Sequence, residues 1–221
     1  MSRNEIRRQI RVVLFDLGNV LFLADHRRTI EAYILRHSVP YALAEGYFQR
    51  PDYEATGKGL LFWPEYCCRL RKEWQTAIAD GEIEQIDASH IYAVDLGAME
   101  LVEALMVRQA AVVGFVTNTR WPEWHRYVQL EPRFERDNDR FRVWRSDVAQ
   151  AYKADEGEPL RIINQWIPSN LAIHVLPEEV LIIDDSPRNC EAFESIRVKA
   201  FQYTEGKPWL LEAHLKQLGL F

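Results

Sequence analysis

The chain has 221 residues, 48% of them hydrophobic and 27% charged, with a net charge of −6 at neutral pH. That is a globular composition long enough for one large domain, or a domain carrying a smaller inserted one. The acidic balance argues against a general nucleic-acid binder, which needs a basic face, and leaves room for an anionic substrate where local cations reverse the sign.

Three cysteines, Cys67, Cys68 and Cys190, form no disulfide framework, and a reducing cytoplasm is the expected compartment. The basic start MSRNEIRRQIR is followed by an apolar run, but Asp16 interrupts that run and no small-residue cleavage site closes it, so it does not read as a signal peptide. No stretch reaches ~18 uninterrupted apolar residues, and no membrane span is expected.

In chain order, VVLFD (12–16) is the first strand, bounded by Gly18. From 23 to 95 the pattern is helical without convincing strands: HRRTIEAYILRHS, PYALAEGYFQR, FWPEYCCRLRKEW. A helix over 98–109 carries Met99, Leu101, Val102, Leu105 and Met106 at helical spacing, and AVVGFVTN (111–118) follows as a strand. FRVWRS (141–146), EVLIIDD (179–185) and RVKAFQY (197–203) are further strands, with helical patterns near 122–130, 157–166, 187–195 and 207–218. Strands spaced by helices imply crossovers, hence an α/β fold: a three-layer, Rossmann-like parallel sheet with helices on both faces. The expected division is core (1–22), a small helical cap inserted after the first strand (23–95), and the rest of the core (96–221). An insertion there lies over the edge where open α/β sheets bind ligands; the plainer reading is a helical layer beside the sheet.

Three strands end in polar residues: Asp16, then Thr117-Asn118, then Asp184-Asp185. In a parallel sheet those ends share one edge, and Lys153, after DVAQAY, lies between the second and third of them in the chain. Clustered carboxylates repel one another unless a cation neutralises them, and Mg²⁺ suits one or two carboxylates plus a substrate phosphate.

The ordered set FDLGNVLF, VTNT, Lys153 and IIDDSPRN resembles the haloacid dehalogenase-like (HAD) hydrolase superfamily. FDLGNV and the segment YEATGKGLLFWPEYCCRL are similar to its helical-capped sugar-phosphate phosphatases, of the α-glucose-1-phosphatase-like branch. The resemblance implies Asp16 as a nucleophile that takes the phosphoryl group as an aspartyl phosphate. It implies Thr117, with backbone N–H groups near Asn118, as the ligand for phosphoryl oxygens, and Lys153 as the cation between nucleophile and phosphate. Asp16, the Gly18 carbonyl, Asp184 and Asp185 are the implied Mg²⁺ set. Acidic pairs such as Asp184-Asp185 are typically missing from dehalogenating members, so phosphoryl transfer is the expected chemistry, on a small phosphorylated metabolite such as a sugar phosphate. No nucleic acid or membrane partner is expected, and the chain is expected to be a monomer or homodimer.

Two departures stand out. The usual acid/base Asp two residues after the nucleophile is Gly18, which keeps a carbonyl for metal but has no side chain to move a proton; Asp25 or His26 could supply one. Lys153 is followed by Ala154-Asp155 where Lys-Pro is usual. Asn189 could orient the loop of the acidic pair or one of its carboxylates, and Ser186 could bond a metal-bound water or cap the helix that Pro187 begins. Arg142 and Arg145 compete with Lys153 for the crevice. Phe62, Trp63, Tyr66 and Trp74 read as helix packing, and Trp121, Trp124 and His125 as core rather than pocket. The alternatives to a phosphatase are a catalytically degenerate protein that binds a phosphorylated ligand or a protein partner, and a phosphotransferase.

Overall fold

The computed structural model describes residues 9–135 and 140–221; residues 1–8, with most of the basic start of the chain, lie outside it. Five parallel strands form the sheet: β1 (Val12–Phe15), β4 (Val112–Thr117), β5 (Val143–Arg145), β6 (Val180–Asp184) and β7 (Lys199–Gln202), in the order β5-β4-β1-β6-β7. β1 is central and buried at all four positions, which is why it reads as a continuous apolar run. Its alternate residues serve two cores. Val13 and Phe15 join Val113, Phe115, Leu181 and Ile183 on one face, and Val12 and Leu14 join Val116, Val180 and Ile182 on the other. The chain leaves β1 toward β4 and β5, then returns to the opposite side of β1 for β6 and β7. The switch point therefore lies at the carboxyl end of β1.

Two expectations need correction. The stretch 23–95 is not free of strands: β2 (Phe22–Ala24) and β3 (Ile91–Val94) form an antiparallel ribbon that begins and ends it. Each is too short to show a period-2 pattern, and their pairing joins residues some seventy positions apart. The helix expected over 157–166 continues to Leu171, with a π-helical turn at Ile162–Trp166. Pro168 has no N–H to offer the carbonyl four residues back, and the wider turn absorbs that loss.

Between the ribbon strands lie α1 (His26–His37), α2 (Tyr41–Glu45), α3 (Pro51–Gly57), α4 (Trp63–Trp74) and α5 (Asp80–Asp87). They bury their own apolar cluster around Tyr33, Tyr47, Tyr66, Leu70, Trp74 and Ile83, separate from the two sheet cores. Tyr66 and Trp74 pack as expected, but Phe62 is exposed because it precedes the first turn of α4. The helical layer meets the sheet at its carboxyl edge. Ser146 Oγ donates to the Gly57 carbonyl (2.6 Å), and the Tyr152 hydroxyl donates to the Glu54 carbonyl (3.3 Å). Gly59, at φ +63°, lies so close to the core that a Cβ would fall 2.0 Å from the Asp147 carbonyl oxygen. After β3, α6 (Leu96–Arg108) leads to β4, and α7 (Trp121–Leu130) leaves it.

Candidate active site

Register brings the polar strand ends together. Phe15 pairs with Phe115 on one side and Ile183 on the other, and the Asp16 N–H continues the ladder to the Ile183 carbonyl (2.8 Å). Asp16 and Asp184 therefore leave adjacent strands level with each other, and Thr117 lies one residue further along β4. Oxygens of Asp16, Asp184 and Asp185 lie within 4.8 Å of one another. Lys153, fully buried, places its ammonium 2.8 Å from Asp16 Oδ1 and 2.6 Å from Asp184 Oδ2.

Each of these groups is held. Asp184 Oδ1 accepts from the Asn189 amide (2.9 Å) and from the Ser186 N–H (2.9 Å), so Asn189 holds one carboxylate of the acidic pair. Ser186 caps the helix Pro187–Glu194 by accepting from the Asn189 N–H. Asn19, left-handed at φ 54°, donates to Asp185 Oδ2 (3.0 Å). The Asn118 side chain accepts from the Lys153 N–H (2.9 Å) and so fixes the lysine's loop. That loop closes without proline: Asp155 accepts from the Tyr152 N–H (2.9 Å) and donates its own N–H to the Tyr152 carbonyl (3.0 Å). Arg145 is drawn away from the crevice, paired with Asp147 at 2.6 Å and stacked on Trp124.

Burial pushes the Asp16 carboxyl up to about 8, opposed by Lys153 and reinforced by Asp184 and Asp185. Asp185 is raised too, by burial first. Burial alone would lower the Lys153 ammonium, but Asp16 and Asp184 outweigh it and hold it above its usual range. Fully ionised, three carboxylates against one ammonium leave two negative charges in a largely buried crevice. A hard divalent cation fits that deficit and that oxygen donor set.

The crevice opens into a cavity of about 360 Å³ roofed by the helical layer. Gly18, Thr117, Asn118 and Lys153 line it near Asp16, with His26, Tyr53 and His90 across from them on the layer and ribbon. His26 stacks on Phe48 at 4.0 Å, and partial burial, with His90 beside it, lowers it to about 4. Asp25 instead caps α1, accepting from the Arg27 N–H at 3.0 Å. Trp121, Trp124 and His125 do not line the cavity.

Three lining residues carry no motif signal in sequence: Arg120, Glu123 and Tyr127, from α7 and the residue before it. The buried Arg120 guanidinium donates to Asp87 of the helical layer (2.6 Å) and to Glu123 (3.0 Å), with Tyr53 stacked 3.5 Å from it. Their helical spacing, 120, 123 and 127, marks one face of α7, but only the tertiary arrangement shows what that face meets.

No sequence-family profile matches the chain, and no curated protein matches it in sequence. Its fold, however, has solved counterparts. A HAD family enzyme from Bacteroides thetaiotaomicron superposes with a TM-score of 0.74 at 22% identity, over 95% of this chain and 99% of the other. The fold is that of the HAD superfamily. A HAD-like family hydrolase from Porphyromonas gingivalis gives 0.76 at 20% identity, over 95% and 98% of the two chains. L-2-haloacid dehalogenase from Xanthobacter autotrophicus gives 0.60 at 12%, over 95% and 83%. The Bacteroides HAD enzyme has also been solved in complex with magnesium and inorganic phosphate, with a TM-score of 0.72 at 21% identity over 93% of this chain and 98% of that one. Among the described residues, no helix of this HAD-fold chain is long and apolar enough to cross a membrane.

Proposed function

We propose that the chain is a Mg²⁺-dependent phosphatase acting on a small phosphorylated metabolite, with sugar phosphates as the first candidates, in the cytoplasm. The observation that carries this reading is the buried Lys153 ammonium bridging Asp16 and Asp184 beside a third carboxylate, in the wall of the cavity under the helical layer. The Bacteroides enzyme with the same fold, bound to magnesium and phosphate, supports it.

Asp16 is the nucleophile. One of its oxygens bonds to phosphorus as the ester P–O bond breaks, giving an aspartyl phosphate that water then opens. A carboxylate approaching a phosphate dianion meets like-charge repulsion. Lys153 offsets it from inside the core, where its charge is little screened. Thr117 and the N–H groups near Asn118 bind the phosphoryl oxygens. Mg²⁺, held by Asp16, the Gly18 carbonyl, Asp184 and Asp185, would supply further positive charge to those oxygens. Residues 23–95 are the cap, whose cavity wall selects the leaving group, and 9–22 with 96–221 are the core.

The test is phosphate release from p-nitrophenyl phosphate with and without Mg²⁺, followed by a panel of phosphorylated metabolites. Asp16→Asn is expected to abolish Mg²⁺-dependent release, and full activity of that variant would overturn the assignment. Gly18 favours a second reading, ligand binding without turnover, whose signature is thermal stabilisation by a phosphometabolite with no phosphate released.

A further inference from the structure

An ester oxygen leaving phosphorus needs a hydrogen-bond donor, because negative charge develops on it. Gly18 offers no side chain for this. The structure shows what fills that place: a Cβ built on Gly18 would meet a single atom within 4 Å, the Tyr127 hydroxyl, at 3.2 Å. Tyr127 projects from the middle of α7 and is 4% exposed. Its ring packs 4.7 Å from Phe22 on the ribbon, so its position is fixed by both elements.

Among the tyrosines of the cavity the same residue stands out. Two other tyrosines line the cavity, but the Tyr53 proton goes to Glu123 (3.0 Å) and the Tyr152 proton to the Glu54 carbonyl. Lys153 is engaged with both carboxylates. The Tyr127 hydroxyl lies beside Thr117 on the wall of the same cavity. The phenol carries one proton that it can donate. Burial, with Glu123, Asp16 and Asp185 nearby, keeps the phenol protonated well past its ordinary range.

We propose that the Tyr127 hydroxyl donates a hydrogen bond to the leaving-group oxygen of a phosphate monoester at Asp16, in the space a side chain at position 18 would occupy. The assignment rests on the phosphatase reading above. As an Asp16 oxygen bonds to phosphorus, the electron pair of the ester bond passes to the leaving oxygen. Tyr127 holds that oxygen while charge builds on it, and it takes a proton from water as it leaves the cavity. Tyr127 stays neutral throughout.

Alkoxides concentrate the developing charge and need the donor, whereas nitrophenolate spreads it over the ring. The test measures kcat/KM with Mg²⁺ on an alkyl phosphate and on p-nitrophenyl phosphate, for the wild type and for Tyr127→Phe, which keeps the ring against Phe22. The variant is expected to lose about 100-fold on the alkyl ester and at least about ten times less on the aryl ester. Because both substrates meet the same sample, the ratio is independent of how much of it is folded. Equal losses on both, the mark of a merely structural role, would overturn the proposal, as would no loss on either. A wild type that releases phosphate from neither class would overturn the phosphatase reading, and this assignment with it. An active wild type with an unchanged ratio in the variant overturns this assignment alone.

Discussion

Arg120→Met tests whether one buried cation holds the helical layer onto the sheet. Arg120 is 1% exposed, and its partners Asp87 and Glu123 are 0% and 6% exposed, so water screens none of the three. The arginine gives Asp87 a 2.6 Å bond and Glu123 bonds of 3.0 and 3.2 Å, while Tyr47 also donates to Asp87. Methionine keeps much of the volume and removes the charge, leaving Asp87 buried without its cation and Glu123 with only the His90 imidazole, 3.7 Å away. Breaking a buried pair in this way costs about 3–5 kcal/mol. For a chain of this length that lowers the melting temperature by about 6–20 °C at pH 7, taking about 2–4 °C per kcal/mol. Burial already raises Asp87 in the folded state, and loss of Arg120 raises it further. A folded pKa above the unfolded one favours the fold at low pH and loses that contribution as pH rises. Protonating the orphaned carboxyl is about 2.7 kcal/mol easier at pH 5 than at pH 7. The variant should therefore recover much of its loss at pH 5. Thermal melts of both proteins in EDTA at the two pH values provide the assay. A drop under about 2 °C at pH 7, or an equal drop at both pH values, would refute the reasoning.

The remaining outcomes concern a close approach and the acidic crevice. Gly59→Ala should cost about 2–4 kcal/mol in urea unfolding, since a left-handed residue would drive its Cβ into the Asp147 carbonyl; Gly157→Ala, also left-handed at φ +79° but facing open space, should cost only about 1 kcal/mol. Without metal, Asp16 titrates at about 8 in the fold against 3.8 unfolded, so the native state holds the extra proton and stability should fall as pH rises between those values, by up to about 1.4 kcal/mol per pH unit. Melts in EDTA should show that slope, and added Mg²⁺ should flatten it by binding the ionised form.

The sheet was legible in sequence because its three central strands, β1, β4 and β6, are buried and so form apolar runs, each broken where the chain reaches the binding edge. Asp16, Thr117 and Asp184-Asp185 announce themselves as polar residues at the ends of those runs, and Lys153 by its place in the order. Asn189 and Ser186 were legible as a helix start. The β2–β3 ribbon was not, since three- and four-residue strands paired across the whole helical segment leave no local period. Arg120, Glu123 and Tyr127 look like ordinary residues of an amphipathic helix, because nothing local distinguishes a helix face that meets solvent from one that meets a cavity. The sequence by itself determined the sheet, the acidic edge and the missing side chain at Gly18, since covalent order and hydrophobic period reach that far. Only the tertiary structure decided that the Tyr127 hydroxyl occupies the space beside Gly18, and that Arg120 ties the roof of the cavity to its floor. Those contacts join residues brought together by packing between layers, which no local pattern encodes.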